Sequence, residues 1–253
     1  MISIKSDYEI SLLKKAGYIV YLTHKELEKH LKPGITTIEL DKIAEDFIKK
    51  MGATASFKNY NGFPSSICTS LNEEVVHGIP SKQKLKNGDI ISIDIGACYK
   101  GYHGDSAWTY QVGEVSERKK YLLKHTYNAL YEGLNQVKPG NHISDISKAI
   151  EKYANKYNLG IVRELVGHGV GSSIHEDPEV PNYDTGNLGP ILKKGMVIAI
   201  EPMLNLGSDD ILIKDDDWTI ITKDSKPSAH FEHTVLVTDD GYEILTGKGD
   251  DFE

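Results

Sequence analysis

Four carboxylates in this chain lie in or beside apolar, strand-like runs. Asp94 and Glu201 each end such a run, and Asp105 follows Asp94 by eleven residues. Glu232 lies in AHFEHTVLV, which alternates like a strand, and His168 lies in the glycine-rich VGHGVG. Each alone suits a solvated acid or a turn histidine. A buried carboxylate is costly unless a cation meets it, so the set of five predicts a site for divalent metal ions.

The elements that carry two of these acids occur twice. Residues 85–94 (LKNGDIISID) match residues 192–201 (LKKGMVIAIE), and in both a glycine turn precedes an apolar strand. Lys-Pro-Gly turns, each followed by a helix-like stretch, recur at residues 32–34 and 138–140. Two unrelated strands that look alike are one explanation. A pseudo-twofold duplication, in which each half aims a carboxylate at a shared centre, fits better than a solenoid.

Helix starts support the same organisation. Ser6 with Glu9 and Thr36 with Glu39 have the Ser/Thr-x-x-Glu form of a capping box. The 253 residues can form one large domain, and no low-complexity or Pro/Ser-rich linker divides them. We predict an α/β (α+β) chain with a single catalytic domain, 1–253, whose halves are roughly residues 1–112 and 113–253.

The segment between the first two acids reads as a hairpin. A two-residue loop at residues 99–100 would place Asp94 opposite Asp105, with the two Cβ atoms about 4.5–5.5 Å apart. Like charges at that distance repel, and a divalent cation between them reverses the sign. Ser92 and Gly96, on the same face, are small and leave room for ions. Two solvated acids on an exposed hairpin are the alternative, which the apolar run disfavours.

Bulk properties exclude several classes. The formal charge of −8 gives no footprint for nucleic acid, and no apolar segment approaches the length of a membrane span. The N-terminus lacks the apolar stretch of a secretory signal, and Cys68 and Cys98 cannot form a disulfide framework. We expect a cytoplasmic monomer that binds neither nucleic acid nor membranes.

Several motifs together resemble methionine aminopeptidases of type I. They are NEEVVHGIP at residues 72–80, the 94–105 hairpin, GHGVG at 167–171, AIEP at 199–202 and EHT at 232–234. The resemblance covers essentially the whole chain. It implies the pita-bread fold, in which pseudo-twofold duplicated helices pack on a curved antiparallel sheet. It also implies removal of the initiator methionine before a small second residue.

The resemblance implies two divalent ions, Mn, Fe(II) or Co, with Zn as a further candidate. Asp105 and Glu232 would bridge the ions. Asp94 would complete the coordination of one, and His168 with Glu201 that of the other. Carboxylates and an imidazole suit such metals better than an all-thiolate zinc site does.

The resemblance also implies the catalytic roles. Two bound ions would activate a water for attack on the first peptide carbonyl. His175 would polarise that carbonyl, and His77 would contact the scissile amide nitrogen. Glu201 would carry the proton to that nitrogen while remaining a ligand. The partner is then a peptide or nascent-protein N-terminus, and any recruitment to the ribosome rests on the catalytic domain itself.

A methionine side chain calls for a soft, apolar pocket. The resemblance implies that its walls are Phe57, Tyr60, Phe63, Cys68, Ile174 and Trp218. Core packing explains Phe57 equally well, and Cys68 can be an inert buried thiol.

Other positions carry weaker implications. Asn72, Glu74 and Ser228 match backbone positions that hold a monovalent cation in relatives. The chain departs from the common pattern at three places, which leaves metal preference and rate open but removes no ligand. They are Gly96 for a hydroxyl residue, Ile174 for an aromatic, and His230 for a glutamine.

Four other assignments compete. An Xaa-Pro aminopeptidase shares the five ligands but usually carries an N-terminal domain, which we do not expect here. Type II methionine aminopeptidases insert a helical segment between the last two glutamates, and 31 positions leave no room for it. A metal-free interaction module would have lost ligands. A phosphoesterase would need Arg or Lys beside the motifs.

Overall fold

The computed structural model describes residues 2–248, and both predicted capping boxes are present in it. In each box, the hydroxyl of Ser6 or Thr36 accepts a hydrogen bond from the backbone N–H three residues on. The carboxylate of Glu9 or Glu39 in turn accepts from the backbone N–H of that Ser or Thr. These boxes begin the first two of four α-helices in the described residues. The helices are α1 (Asp7–Glu28), α2 (Thr37–Lys50), α3 (Glu117–Leu134) and α4 (Ile143–Lys156). None of the helices in residues 2–248 is long and apolar enough to cross a membrane.

Fifteen strands complete the described part of the chain, and all their pairings are antiparallel. The strands are β1 (Thr54–Ala55), β2 (Ile67–Leu71), β3 (Glu74–Val76), β4 (Ile90–Tyr99), β5 (Tyr102–Gln111), β6 (Gly160–Ile161), β7 (Gly167–Gly169), β8 (Glu176–Val180), β9 (Val197–Ile200), β10 (Met203–Asn205), β11 (Ile211–Ile213), β12 (Ile220–Thr222), β13 (Ser228–His230), β14 (His233–Val237) and β15 (Tyr242–Ile244).

Two sheets carry the candidate ligands. In one, β4 lies between β1 and β2 and also pairs with β5, and in the other the order is β15-β14-β9-β7-β8. Two smaller sheets have the orders β13-β10-β6 and β11-β12-β3. Strand β14 of the second large sheet packs against β5 of the first, so the two sheets that bear the candidate ligands are in contact.

The repeated motif has the same structure in both copies. Gly88 and Gly195 have φ values of +93° and +85°, in the region that favours glycine, and each precedes a buried strand, β4 or β9. Isolated bridges join Thr36 to Lys84 in one half and His142 to Ile191 in the other. The helix–helix–strand order and the pseudo-twofold arrangement are as predicted. The division at residues 112/113 stays a prediction, and Met1 and residues 249–253 lie outside the described part.

Each half buries its strand under its own pair of helices. Under α1 and α2, the apolar side chains of Ile91, Ile93 and Ile95 are fully buried. Under α3 and α4, Ile198 and Ile200 are buried in the same way. Burial of such side chains is worth about 1.5–3 kcal/mol each, so these contacts fix the strand ends that carry the acids.

A buried histidine ties α1 to the hairpin. The His24 ring stacks on Trp108 with centroids 4.4 Å apart and an interplanar angle of 5°. Its Nε2 lies 3.0 Å from the carbonyl oxygen of Ser106, which can only accept, so Nε2 donates. Its Nδ1 then accepts from the hydroxyl of Tyr110, also at 3.0 Å. The neutral ring is fully satisfied, and burial lowers the pKa of His24 to about 3.

His24 should make the free energy of unfolding decrease as the pH is lowered. Its folded pKa of about 3 is depressed from 6.5, so the unfolded chain takes up a proton first, and stability present above pH 6.5 is lost toward pH 3. Between pH 7 and pH 5 we expect the free energy of unfolding to drop by about 2 kcal/mol more in the wild type than in His24→Gln. Urea unfolding at both pH values measures this. His30→Gln, at a side chain 40% exposed, is the control, and equal slopes in all three proteins would refute the assignment.

Candidate metal centre

The hairpin that carries Asp94 and Asp105 forms, but the predicted register is wrong. The two-residue turn is Lys100-Gly101, with φ of +49° and +84°, and not residues 99–100. Such turns need positive φ at both central residues, and glycine satisfies the second at little cost. Asp94 therefore lies opposite Ala107, and Asp105 lies opposite Gly96. Since Ala107 and Asp105 are two residues apart on one strand, the two acids still share a face and lie diagonally.

The five predicted ligands converge. Asp94, Asp105 and Glu232 offer oxygen atoms that all lie within 4.8 Å of one another, and so do the donor atoms of His168, Glu201 and Glu232. Nε2 of His168 lies 3.4 Å from Oε1 of Glu201 and 3.8 Å from Oδ2 of Asp105. Glu232 belongs to both groups, which is what a carboxylate that bridges two ions must do.

Three carboxylate oxygens of the site have no hydrogen-bond partner among the described residues that would stabilise their negative charge. They are Oδ1 of Asp94, Oδ1 of Asp105 and Oε1 of Glu232, and all are buried. Burial raises the pKa of Asp94 to about 7 and that of Glu201 to about 8. The pKa of Asp105 lies well above its usual range, mainly because the carboxyl is buried and also because the charge of Asp94 is close by. Buried oxygens with free lone pairs fit divalent cations, which would offset the mutual repulsion.

His168 is held in the tautomer that a metal requires. Its Nδ1 lies 3.0 Å from the carbonyl oxygen of Gly169 and so donates to it. The other nitrogen, Nε2, then carries the free lone pair and faces Glu201 and Asp105. Burial lowers the pKa of His168 to about 3, which keeps the ring neutral.

Hydroxyl side chains that the sequence reasoning missed join the two halves beside the ligands. Oγ1 of Thr234 donates to the carbonyl oxygen of Asp105 at 2.7 Å and accepts from its N–H at 3.1 Å. Oγ of Ser106 donates to the carbonyl oxygen of Glu232 at 2.6 Å. Further along, Thr109 bonds the backbone of β13. We call Ser106, Thr109 and Thr234 the hydroxyl seam. Its signal in the sequence is a small hydroxyl residue next to a ligand, which is too common to single out.

Two further histidines stand over the acids. The His175 ring lies 4.3 Å from that of His168, edge to face, and its Nδ1 is 3.0 Å from the hydroxyl of Tyr60. His77 follows β3 with φ of +58°, a conformation uncommon outside glycine. Burial lowers the pKa of His77 to about 4, so its ring is neutral at pH 7. Backbone strain of this kind is often found at functional sites.

A cavity of about 360 Å³ opens onto the five candidate ligands. All the predicted pocket residues except Ile174 line it, and Ile174 lies in the apolar cluster with Phe57, Phe63 and Cys68 behind the wall. The cavity also has walls that the sequence reasoning missed, and Met203 is one whose position two residues after Glu201 could have suggested it. The missed residues are Asn61, Val76, Leu165, Val166 and Met203.

The three departures and the predicted cation site have structural settings. A Cβ on Gly96 would lie 2.8 Å from Cβ of Ser56 and 3.0 Å from the Phe57 ring, so a hydroxyl residue has no room there. His230 is buried with Nε2 3.5 Å from Oε2 of Glu201. Near the positions proposed for a monovalent cation, Nζ of Lys119 donates to Oδ1 of Asn72 at 2.7 Å. That cation site stays a prediction.

Comparisons with known proteins agree with this arrangement. The model of metallopeptidase family M24 matches residues 11–239. Methionine aminopeptidase 1 of Bacillus subtilis (strain 168) is 57% identical over 246 residues, which cover 97% of this chain and 99% of that relative. The crystal structure of methionine aminopeptidase from Thermotoga maritima has a TM-score of 0.96 at 44% identity and covers 98% of this chain and 100% of that chain.

More distant structures share the fold. Prolidase from Pyrococcus furiosus has a TM-score of 0.77 at 26% identity, and the match covers 97% of this chain but 66% of that one. The predicted pita-bread fold is confirmed by these likenesses.

Proposed function

The chain belongs to metallopeptidase family M24 and, within it, to the methionine aminopeptidases, and we propose that it removes the N-terminal methionine from peptides and nascent proteins with a small second residue. The observation that carries this is the cavity itself. Aromatic and sulfur-containing walls lead to a floor of four carboxylates and His168, in which Asp105 and Glu232 are buried and Asp94 and Glu201 are partly buried. Such walls suit a thioether, and such a floor suits divalent ions.

We assign the ion-holding residues as follows. Asp94, Asp105 and Glu232 would hold one divalent ion, and His168 and Glu201, with Asp105 and Glu232, would hold a second one. Mn, Fe(II) and Co are the candidates, with Zn as a further one, because the donor set is mostly hard oxygen. Bound there, the ions supply an activated water and a positive charge for the developing oxyanion.

The chain's own side chains complete the reaction. His175, neutral because burial lowers its pKa, donates a hydrogen bond to the carbonyl oxygen of the first residue as charge develops there. His77, on the strained turn after β3, holds the scissile amide nitrogen. The carboxylate of Glu201 accepts the proton of the attacking water and delivers it to that nitrogen as the bond breaks.

The walls give the selectivity. Phe63 and Trp218 meet edge to face with centroids 5.2 Å apart, and Cys68 lies beside them. A thioether gains from aromatic edges and polarizable sulfur, whereas a charged side chain would be desolvated without a partner. We therefore propose that methionine binds in this cluster.

Peptide cleavage by metal-stripped protein tests the proposal. Mn, Fe(II), Co and Zn would be added back separately, and the panel would be Met-Ala-Ser, Met-Lys-Ser, Ala-Ala-Ser and Ala-Pro-Ser. We expect metal-dependent release of methionine from Met-Ala-Ser alone. Cleavage only of Ala-Pro-Ser would assign the chain to the Xaa-Pro branch of the same fold. An inactive, folded and metal-loaded protein would point to a binding module.

The cellular setting is a separate proposal. The two cysteines in the described residues, Cys68 and Cys98, are both free thiols, as is usual in a reducing compartment. We propose a cytoplasmic monomer, and cell fractionation with size-exclusion chromatography tests both statements.

A further inference from the structure

A largely buried ion pair links the start of the chain to the first residue of β8. Nζ of Lys5 lies 2.6 Å from Oε2 of Glu176, and the two residues are 171 positions apart. The Lys5 side chain is 3% exposed and that of Glu176 is 18% exposed. Burying an ammonium is costly and such pairs add little net stability, so the contact calls for another explanation.

The same carboxylate holds the backbone of the loop before β8. Oε1 of Glu176 accepts from the N–H of Ser173 at 3.1 Å and from the Ser172 hydroxyl at 3.4 Å. A Cβ on Gly171 would lie 2.3 Å from both Nζ of Lys5 and Oε1 of Glu176. The ion pair therefore sits directly against residues 170–175, which we call the β7–β8 loop.

This loop carries two residues of the proposed site. Ile174 is buried in the apolar cluster behind the pocket wall, and His175 stands over the ligands beside Tyr60. The His175 ring contacts the hydroxyl of Tyr60 and the ring of His168, and the rest of the side chain is exposed. The position of the ring therefore depends on these two contacts and on the backbone that Glu176 holds.

The backbone of Lys5 is fixed as well. The N–H of Lys5 donates to the carbonyl oxygen of Gly195 at 2.8 Å, in the turn that leads through β9 to Glu201. Lys5 thus ties the loop that carries His175 to the turn before β9, the strand that Glu201 follows, and a small shift of either segment would change the separation of His175 and Glu201.

We propose that Lys5, acting through Glu176, is a positioning residue for His175. The inference rests on the proposed function, because it assumes that His175 contacts the substrate carbonyl. Positioning groups act on the transition state more than on ground-state binding, so their loss lowers kcat more than it changes KM.

The test compares variants in two backgrounds. Lys5→Met keeps most of the side-chain length and removes the charge, and we expect kcat for Met-Ala-Ser to fall about tenfold, with KM within about threefold. Lys5→Arg keeps the charge and should recover part of the loss. In a His175→Ala background, Lys5→Met should change kcat by less than about twofold, because the group it positions is gone.

A matched control and a second readout separate positioning from general damage. Lys14→Met removes a lysine that pairs with Glu243 and is 25% exposed, against 3% for Lys5, and should leave kcat unchanged. Amide hydrogen exchange of residues 170–176 should quicken in Lys5→Met but not in Lys14→Met, with or without metal. Equal losses of kcat in both backgrounds, or unchanged exchange, would overturn the proposal. If the wild type cleaves nothing, the proposed function fails, and the exchange experiment still decides whether Lys5 holds the loop.

Discussion

Asp105→Asn is expected to lower kcat/KM for Met-Ala-Ser by more than about 100-fold, beyond the loss typical of residues that only support a ligand. Asp105 lies in the centre of the acid group, with one oxygen 3.8 Å from His168 and the other unpartnered. An amide of the same shape cannot bridge two cations. Calorimetric titration with Mn or Co should show the stoichiometry fall from two ions to one.

The same substitution should not lower, and should even raise, the thermal stability of the metal-free protein. Asp105 is buried beside two other carboxylates, so its removal relieves repulsion and desolvation. We expect metal-free Asp105→Asn to melt at or above the temperature of metal-free wild type, and added metal to raise its melting temperature less. Asp239→Asn, at an exposed ion pair, is the control. Wild-type activity with two bound ions would show that Asp105 is not a bridging ligand.

His175→Ala is expected to lower kcat for Met-Ala-Ser by about 100-fold while KM changes by less than about threefold, as for the loss of one donor to a developing oxyanion. The ring is neutral at pH 7 and stands over the ligands, where it can donate without a change of charge. Steady-state kinetics over a range of peptide concentrations measures the two parameters separately.

Metal titration of the same variant decides between two roles. Donor atoms of His175, Asp105 and His168 also lie within 4.8 Å of one another, so His175 could be read as a ligand. If it contacts only the substrate, His175→Ala should bind two ions with unchanged affinity. A loss of one ion would make it a ligand instead, and His30→Ala provides the control at an exposed ring.

Local signals predicted much of this molecule. The capping boxes at Ser6 and Thr36 satisfy helix N–H groups within four residues, and the apolar runs before Asp94 and Glu201 form buried strands. Both depend on short-range chemistry that the sequence displays directly. The convergence of the five ligands followed from their types and from the duplicated motif that carries two of them.

Other features depend on choices that local patterns do not fix. Two adjacent loop positions were available for the hairpin, and the observed one depends on which residue pair adopts positive φ. The Lys5–Glu176 contact joins residues that no spacing relates. His24 gave no signal either, since a histidine on a helix is ordinary until its ring is seen to stack on Trp108.

The hydroxyl seam places candidate ligands of both halves at one junction, where Thr234 donates to the carbonyl oxygen of Asp105 and Ser106 donates to that of Glu232. Ions bound at that junction would fasten the halves to each other, and a ligand that binds only the folded state stabilises it by mass action. Metal supply would then govern the lifetime of each molecule as well as its turnover. In a metal-starved cell, proteolysis of the loosened protein would reduce its abundance, so that lost activity reflects fewer molecules and not only empty ones.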